Sequence, residues 1–429
     1  MESLENDFIN SFLREIDSCK LLTEYIQKDL ENPHFIQSDK SINLLAIGKA
    51  AFAMASAIEQ IFQSSIKDVL IVTKLIGDGK DFQNTTNKRI IFAGHPIPDE
   101  RSYEAGEQVI EFVNNAQKAD ELLIVCISGG ASALVESALL GKEKSLLEKS
   151  TDILLRSNAS IYEINTLRTL FSVIKGGGLA QLIKYPSNTM VYVLSDVIGN
   201  QISTIASGPF KYSPITSEDI YLLIEKYKLP IDRANVANLI SYRAKYLDAA
   251  INHHIVADNS FATAKLFEIV QSKFQGYKGI VFDEPFQCNV TELVDKIMHI
   301  CDEMHKSEKP WFLILGGEST VTQTGNGRGG RNTELIARLL LAYSTLQSIK
   351  TPSIYAIATD GNDGNSNSGG AYLDEKLIYR VKSNKQLIQE LEKSISESDT
   401  ATFLLHEGFL LQEKQTNTNL LDCVLIIQH

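Results

Sequence analysis

Along the first thirty residues, apolar side chains recur at helical spacing (Leu4, Phe8, Phe12, Ile16, Leu22) and predict one amphipathic helix over 4–30. The next apolar run, INLLAIG at 42–48, is short, unbroken and ends in glycine, the pattern of a buried strand. An alanine-rich helical stretch, AAFAMASAIEQIF at 50–62, follows it, and KDVLIVT at 67–73 reads as a second strand. The alternation continues through RIIFAG (89–94), a helix near 101–117, ELLIVCIS (121–128), a helix near 145–160 and NTMVYVLSD (188–196). Strands alternating with helices predict parallel pairing, because a parallel connection needs a crossover long enough to hold a helix. The expectation is a Rossmann-like sheet of five strands with helices on both faces.

Between about 210 and 250 the pattern turns to charged, tyrosine-rich helical sequence without strong strands. The domain junction is expected there, dividing the chain into 1–245 and 246–429. A second set of strands follows: HHIVAD (253–258), YKGIVF (277–282), PWFLILGG (310–317), STVTQTG (319–325), SIYAIATDG (353–361) and DCVLIIQ (422–428). Helices are expected near 259–272, 289–306 and 332–346, and NDGNSNSGG (362–370) reads as a loop. The strands at 310–317 and 319–325 leave no room for a crossover helix, so the second sheet is expected to be mixed. The predicted class is α/β with two domains, an N-terminal Rossmann-like parallel sheet and a C-terminal α/β domain with a mixed sheet.

A chain of 429 residues exceeds what one core ordinarily organises, and 44% apolar with 22% charged residues suits packed globular domains. The formal net charge of -12 offers no attractive field to nucleic acid or an anionic membrane. The expected partner is a small molecule, besides a second copy of the chain in a homodimer. An anionic substrate then has to be met by a local cationic pocket. Five widely spaced cysteines without a CxxC pair favour neither a disulfide framework nor a thiolate zinc site. The acidic N-terminus is unlike a signal peptide and no apolar run approaches ~20 residues, so a cytoplasmic location is expected.

Loops at the ends of these elements carry the candidate chemistry. Gly48-Lys49 ends a strand and starts a helix, where an ammonium and the positive end of a helix dipole hold an anion together; a lysine that only solvates the helix start is the plainer reading. Ser128-Gly129-Gly130-Ala131-Ser132 lets amides approach an anion closely and adds hydroxyls, unless it is simply a tight strand-to-helix turn. Asp196, with Ser195 and Asn200, lies at the C-terminal rim of a predicted parallel strand, placed to hold Mg2+, take a proton or cap a helix; IASGP (205–209) follows. GGEST (316–320), with the carboxylate of Glu318, precedes GNGRGGRNTE (325–334). Gly325, Gly327 and Gly330 satisfy GxGxxG, yet no ribose-binding acid stands between Gln347 and Ser353. Arg328 and Arg331 instead suit a loop that clamps phosphate with paired hydrogen bonds, flanked by Asn332 and Glu334. In TDGNDG (359–364), Asp360 and Asp363 are carboxylates that can bind Mg2+ through oxygen or form a solvated turn.

Taken in order, AIGKAA, AGHPIPDERS, ISGGASAL, EINTLR with IKGGGLA, SDVIGN with IASGP, GGESTVT with GRGGRNTE, TDGNDG and TNTNLLD resemble the class II glycerate kinases. This is the glycerate 2-kinase family with a C-terminal MOFRL domain, and the resemblance spans about residues 40–427. It implies a Rossmann-like N-terminal domain, a distinct α/β C-terminal domain and an active site in the cleft between them. It implies ATP- and Mg2+-dependent phosphorylation of glycerate, D-glycerate to 2-phosphoglycerate. Lys49 and Arg331 fall on the family's essential lysine and arginine, and Asp196 and Asp360 on its SDV and TDG aspartates. The expected site is then Lys49, Arg331, Asp196 and Asp360 for catalysis. Ser128, Gly129, Gly130, Ser132, Arg328, Asn332 and Glu334 are expected to bind substrate or phosphate, and Asp196, Glu318 and Asp360 the metal. Thr169 and Leu170 stand where the family carries a basic residue and a histidine, and Asn200 where it carries an aspartate. Two other readings are an NAD(P)H-dependent hydroxypyruvate reductase, resting on GxGxxG, and a degenerate member that binds a phosphorylated metabolite without turnover, resting on these departures.

Overall fold

The structure, a computed structural model, describes residues 2–30, 40–75, 84–137, 144–157, 159–304, 309–346, 351–414 and 416–429. Residues 347–350, part of the stretch in which a ribose-binding acid would stand, lie outside the described residues. The chain packs as two compact units, one of Ser18–Val256 and one of the residues up to Asp17 with Ala257–His429. The junction expected at 245/246 thus falls after Val256. The single helix expected over 4–30 is two, Glu2–Glu15 and Ser18–Leu30, one in each unit. Ile16 and Asp17 separate them, and Asp17 with Ser18 at the second helix's start are residues whose short polar side chains compete with helical hydrogen bonding and favour helix ends.

The first unit is built on β1 (Ser41–Ile47), β2 (Ile66–Lys74), β3 (Lys88–Ala93), β4 (Glu121–Ile127), β5 (Thr189–Leu194) and β6 (Asn252–Ala257). Their order is β3-β2-β1-β4-β5-β6, and the pairs among β1 to β5 are parallel. Both faces are buried. Leu45, Ile47, Val125 and Ile127 pack on Val109, Phe112 and Val113 of the helix Glu100–Asn115, while Leu44 and Ala46 are buried on the opposite face, where the helix Ala51–Phe62 lies on β1 and β2. A separate helical cluster (Leu147, Leu154, Leu167, Leu170, Leu223, Val236) forms from the tyrosine-rich segment and the helices before it. The sheet has six strands rather than five because HHIVA joins its edge instead of opening the second sheet. His254 of β6 stacks on Tyr192 of β5, ring centroids 5.2 Å apart, a contact between residues far apart in sequence.

In the second unit lie β7 (Lys278–Val281), β8 (Phe286–Asn289), β9 (Trp311–Thr320), β10 (Ser353–Ala358), β11 (Ser368–Leu373), β12 (Leu410–Gln412) and β13 (Asp422–Gln428). The order is β12-β11-β10-β13-β9-β7, with β8 also on β9; β7 and β8 pair parallel with β9, and the remaining pairs are antiparallel. The sheet is mixed, but not for the reason expected: 310–317 and the start of 319–325 form one continuous strand. Gly316 and Gly317 sit inside it because neighbours leave no space for a side chain. A Cβ on Gly316 would meet Asn259 Oδ1 at 2.1 Å, and one on Gly317 the Phe286 carbonyl oxygen at 2.1 Å. The polar run expected as a loop turns into β11 at Ser368. Trp311, Leu313, Leu315, Val424 and Ile426 face the helices Val290–Met304 and Arg331–Thr345, while Phe8 of the N-terminal helix meets Tyr355 edge-on on the other face at 5.3 Å. Among the described residues no helix is long and apolar enough to cross a membrane.

One polar cluster interrupts the first unit's interior. Glu136 Oε2 accepts from Lys175 Nζ (2.7 Å) and Arg168 Nη2 (2.8 Å), and Glu136 and Lys175 are almost wholly buried. Burial works to raise the Glu136 carboxyl, yet the two cations hold it below its ordinary range; burial pulls the Lys175 ammonium down to about 8 against the attraction of Glu136. Glu136→Gln keeps the shape and strands two buried cations. It is expected to cost about 3–5 kcal/mol of unfolding free energy in urea. A loss below about 1 kcal/mol would show that the cluster does not depend on its anion.

Candidate functional site

The strand order of the first unit reverses between β1 and β4, and in open α/β sheets the crevice beyond such a reversal is where ligands bind. Ile47 and Ile127 are register partners at the ends of these strands. Gly48 leaves β1 with φ +131, a left-handed conformation in which a side chain would collide with Ser128 Oγ at 2.2 Å. The Lys49 amide donates to the Gly129 carbonyl (2.9 Å) and the Ala50 amide to Ser128 Oγ (3.0 Å). Ser128 is fully buried and its hydroxyl holds the amide just before the helix Ala51–Phe62, so its side chain braces the loop from within. Gly129 and Gly130, by contrast, donate their amides to no acceptor among the described residues. The half-buried Lys49 lies against this turn, since a Cβ on Gly130 would meet Lys49 Cγ at 3.3 Å and the His95 ring at 2.9 Å. Ser132, also half-buried, pairs its hydroxyl with that of Ser207 at 2.9 Å. Asp196 is half-buried just beyond β5, where the Val197 amide donates to Ser195 Oγ (3.3 Å).

The glycine-rich loop of the second unit is arranged the other way round. Its amides are spent on the protein: Gly327 on the Glu397 carbonyl (3.2 Å), Arg328 on Asp399 (2.8 Å), Gly329 on Asn365 (2.7 Å) and Gly330 on Thr333 Oγ1 (2.7 Å). The glycines answer to packing, because a Cβ on Gly325 would lie 2.2 Å from the Glu397 carbonyl oxygen and one on Gly327 2.4 Å from Asp399 Cβ. Asp363, expected as a metal ligand or solvated turn residue, is buried and accepts the amides of Asn332 (2.9 Å) and Thr333 (2.8 Å), capping the helix Arg331–Thr345. Burial pushes its carboxyl up, opposed by those two amides. Asn332 and Glu334 turn inward as well: Asn332 is buried against Asp363, and Glu334 is paired with Arg338 (2.7 Å) on its own helix. Arg328 reaches the Ser366 carbonyl (3.2 Å).

Arg331 is the cation this scaffold presents. Its guanidinium pairs with Glu318 on β9 through Nη1 and lies 3.2 Å from Asp422 Oδ2 through Nε. Arg331 and Glu318 are partly exposed, whereas Asp422 is buried at the first residue of β13. Burial opposes the arginine's charge, but Asp422 and Glu318 together raise its pKa further. Burial also pushes the Asp422 carboxyl up to about 7, outweighing Arg331, with Asp363 adding to the shift. Asp360 is half-buried at the rim just past β10 and accepts the Asn362 amide (3.1 Å). Sequence reasoning missed Asp422, which lies in the motif TNTNLLD, and Asn259, whose Nδ2 donates to the Leu420 (2.7 Å) and Asp422 (3.1 Å) carbonyls and so fixes where Asp422 starts its strand. Nothing local marks either. Among the described residues no group of three His, Cys, Asp or Glu side chains is gathered to hold a metal ion.

Comparison with known proteins bears on the same two regions. Residues 5–241 match the family model described as a domain of unknown function, DUF4147, and residues 311–422 match the MOFRL family. A D-glycerate 2-kinase of Thermotoga maritima is 32% identical over 389 residues, 89% of each chain. A glycerate 2-kinase of Pyrococcus horikoshii is 32% identical over 90% of this chain and 87% of its own. The crystal structure of a glycerate kinase from Thermotoga maritima superposes with a TM-score of 0.83 at 27% identity, covering both chains completely.

The Asp422 carboxyl yields a pH prediction. It holds its proton more tightly in the folded chain (about 7) than at its ordinary value of 3.8, so folding takes up a proton between those limits. Its contribution to stability is complete below about pH 4 and is lost as the pH rises through 7. By 1.36 kcal/mol per unit, that loss is at most ~4 kcal/mol. In urea unfolding from pH 4 to 8, the wild type is expected to lose stability relative to Asp422→Asn; a constant difference between the two would show that Asp422 is ionised throughout.

Proposed function

This chain belongs to the class II glycerate kinase family, and from that membership we propose that it transfers the γ-phosphoryl group of ATP to a hydroxyl of D-glycerate, giving 2-phosphoglycerate. The observation that carries the proposal is the crevice at the β1/β4 reversal, where Lys49, the uncommitted amides of Gly129 and Gly130 and the Ser132 hydroxyl converge on one turn. Phosphoryl transfer asks a protein mainly to position the reactants and to stabilise spread negative charge, and these groups are of that kind. Lys49 supplies a compact positive charge for phosphate or carboxylate. Arg331, steadied by Glu318 and Asp422, supplies a planar fork suited to two parallel bonds with an oxyanion.

Mg2+ is compatible with the carboxylates present. A nucleotide-borne Mg2+ keeps several waters and takes one or two protein carboxylates, so it does not require a cage of three. Asp360 and Asp196, half-buried at strand ends, are the residues proposed to hold it, with Glu318 a further candidate once released from Arg331. The bound ion would offset the negative charge of the phosphates. With none of the five cysteines in a disulfide, the proposal places the enzyme in a reducing compartment, the cytoplasm.

The competing readings fare less well. A reductase would use the GxGxxG loop for a dinucleotide, yet that loop has given its amides to Glu397, Asp399 and Asn365. A non-catalytic member would be argued from Thr169 and Leu170. Leu170 is buried in the helical cluster and Thr169 is buried beside it, so both departures fall in a packed interior.

Purified protein incubated with ATP, Mg2+ and D-glycerate, with NADH and hydroxypyruvate in a parallel reaction, tests the proposal: phosphoglycerate is expected only in the first, and NADH oxidation in the second would favour the reductase. Arg331→Lys cannot reproduce the fork and is expected to lower kcat about tenfold or more, one such factor for each ~1.4 kcal/mol of transition-state stabilisation lost. Wild-type kinetics in that variant would remove Arg331 from the reaction. Asp360→Asn is expected to reduce turnover at least about tenfold even at saturating Mg2+; full activity would assign the metal to other carboxylates.

A further inference from the structure

IASGP (205–209) holds a strained turn beside the crevice. Ala206 (φ 54, ψ 22), Ser207 (φ 59) and Gly208 (φ 60, ψ 55) are three consecutive left-handed residues, though only the third is glycine. A turn needed only to reverse the chain would be less strained with glycine at all three positions, since a Cβ disfavours this conformation. Such strain persists only where surrounding structure over-determines it, and it gathers at functional sites. Here the surroundings do so. The Gly176 amide donates to the Ser207 carbonyl (2.8 Å) and the Gly177 amide to the Gly208 carbonyl (2.7 Å). That glycine loop is held in turn by the buried Arg243, whose Nη1 donates to the Thr169 (2.9 Å) and Ser172 (3.1 Å) carbonyls and whose Nη2 donates to those of Lys175 (3.2 Å) and Gly176 (2.9 Å).

What this arrangement delivers is one hydroxyl. Ser207 is buried, and its Oγ lies 2.9 Å from that of the half-buried Ser132, whose own carbonyl is fixed by Arg168 Nη2 at 2.9 Å. In a pair of hydroxyls one donates to the other, and the acceptor's proton is then left for a third group. The inner hydroxyl donating to the outer one turns the Ser132 proton toward the crevice. We infer that Ser207 is a positioning residue: its hydroxyl, delivered by the left-handed turn, aims the Ser132 hydroxyl as a donor to a ligand oxyanion held at the Gly129-Gly130 turn. The oxyanion is a carboxylate of the hydroxy acid or a phosphate of the nucleotide. This inference rests on the kinase reading for the identity of those two ligands.

Calorimetric Kd values for D-glycerate and ATP, with the KM of each and the melting temperature, test it on the full chain of wild type, Ser207→Gly, Ser207→Ala, Ser132→Ala and the double alanine variant. Ser207→Gly relieves strain and is expected to melt no lower than wild type while weakening one of the two ligands about tenfold or more, the worth of one hydrogen bond to a charged group. Weaker glycerate would identify the carboxylate, weaker ATP the phosphate. Ser207→Ala should match it, and in the Ser132→Ala background should add less than about twofold, because the two hydroxyls act as one unit. Unchanged Kd values for both ligands in Ser207→Gly, or alanine effects that multiply, would overturn the role. Should Ser207→Ala fail to fold, Ser207→Gly carries the test. Wild-type turnover decides the kinase reading separately, since the binding ratios are read without it; a wild type that binds neither ligand would overturn the inference as well.

Discussion

β1 and β4 run side by side in parallel register to Ile47 and Ile127, and their chains then leave the sheet in opposite directions. That divergence leaves backbone without a strand partner at the centre of the sheet rather than at its edge, and most of the first unit's candidate chemistry is fitted to it. Gly48 turns out of β1 in a conformation that only glycine adopts readily, which brings Ser128 close enough to take the Ala50 amide just before the next helix. With Ser128 committed, the two following glycines are the groups still open to an anion. A one-residue slip of β1 against β4 would turn every side chain of the slipped strand into the opposite helix layer, so the register that builds the core is also the register that builds the crevice.

The second unit meets a helix start with the opposite solution. Asp363 is buried against the first turn of Arg331–Thr345 and takes the amides that an open helix start would leave for a ligand. The loop before it closes onto 397–399 through the amides of Gly327 and Arg328. This unit therefore offers an anion a side chain, Arg331, rather than a nest of backbone donors. A loop with the composition of a phosphate binder has become a rigid bracket that aims one guanidinium.

Both regions concentrate positive charge on a chain whose net charge is -12. Each does so over a buried carboxylate: Glu136 beneath Lys175 and Arg168, Asp422 beneath Arg331. Taking such carboxylates out of water is costly, and hydrophobic residues of equal volume would often stabilise a fold as well. What the carboxylates add is direction. They fix where cations on long, flexible side chains point.

The sequence by itself determined the elements whose signal is local. β1 to β5 could be read from short uniform apolar runs, and Gly48-Lys49 and Ser128-Gly129-Gly130 could be placed at strand ends because the runs stop there. The resemblance carried by ordered motifs added the family, and with it Lys49 and Arg331. Only the tertiary structure decided that HHIVA completes the first sheet, that 311–320 is one strand, and that the GxGxxG glycines make room for 397–399. It alone turned Asp363, Asn332 and Glu334 inward and brought Asp422 to Arg331 and Ser207 to Ser132. Each of these depends on a partner's position rather than on the residue's own neighbours in the chain. An aspartate that caps a helix thirty residues away and one that faces solvent in a turn are preceded and followed by the same kinds of small polar residues. Hydrophobic periodicity records which way a side chain faces, and which group it meets there is settled by the packing of distant segments.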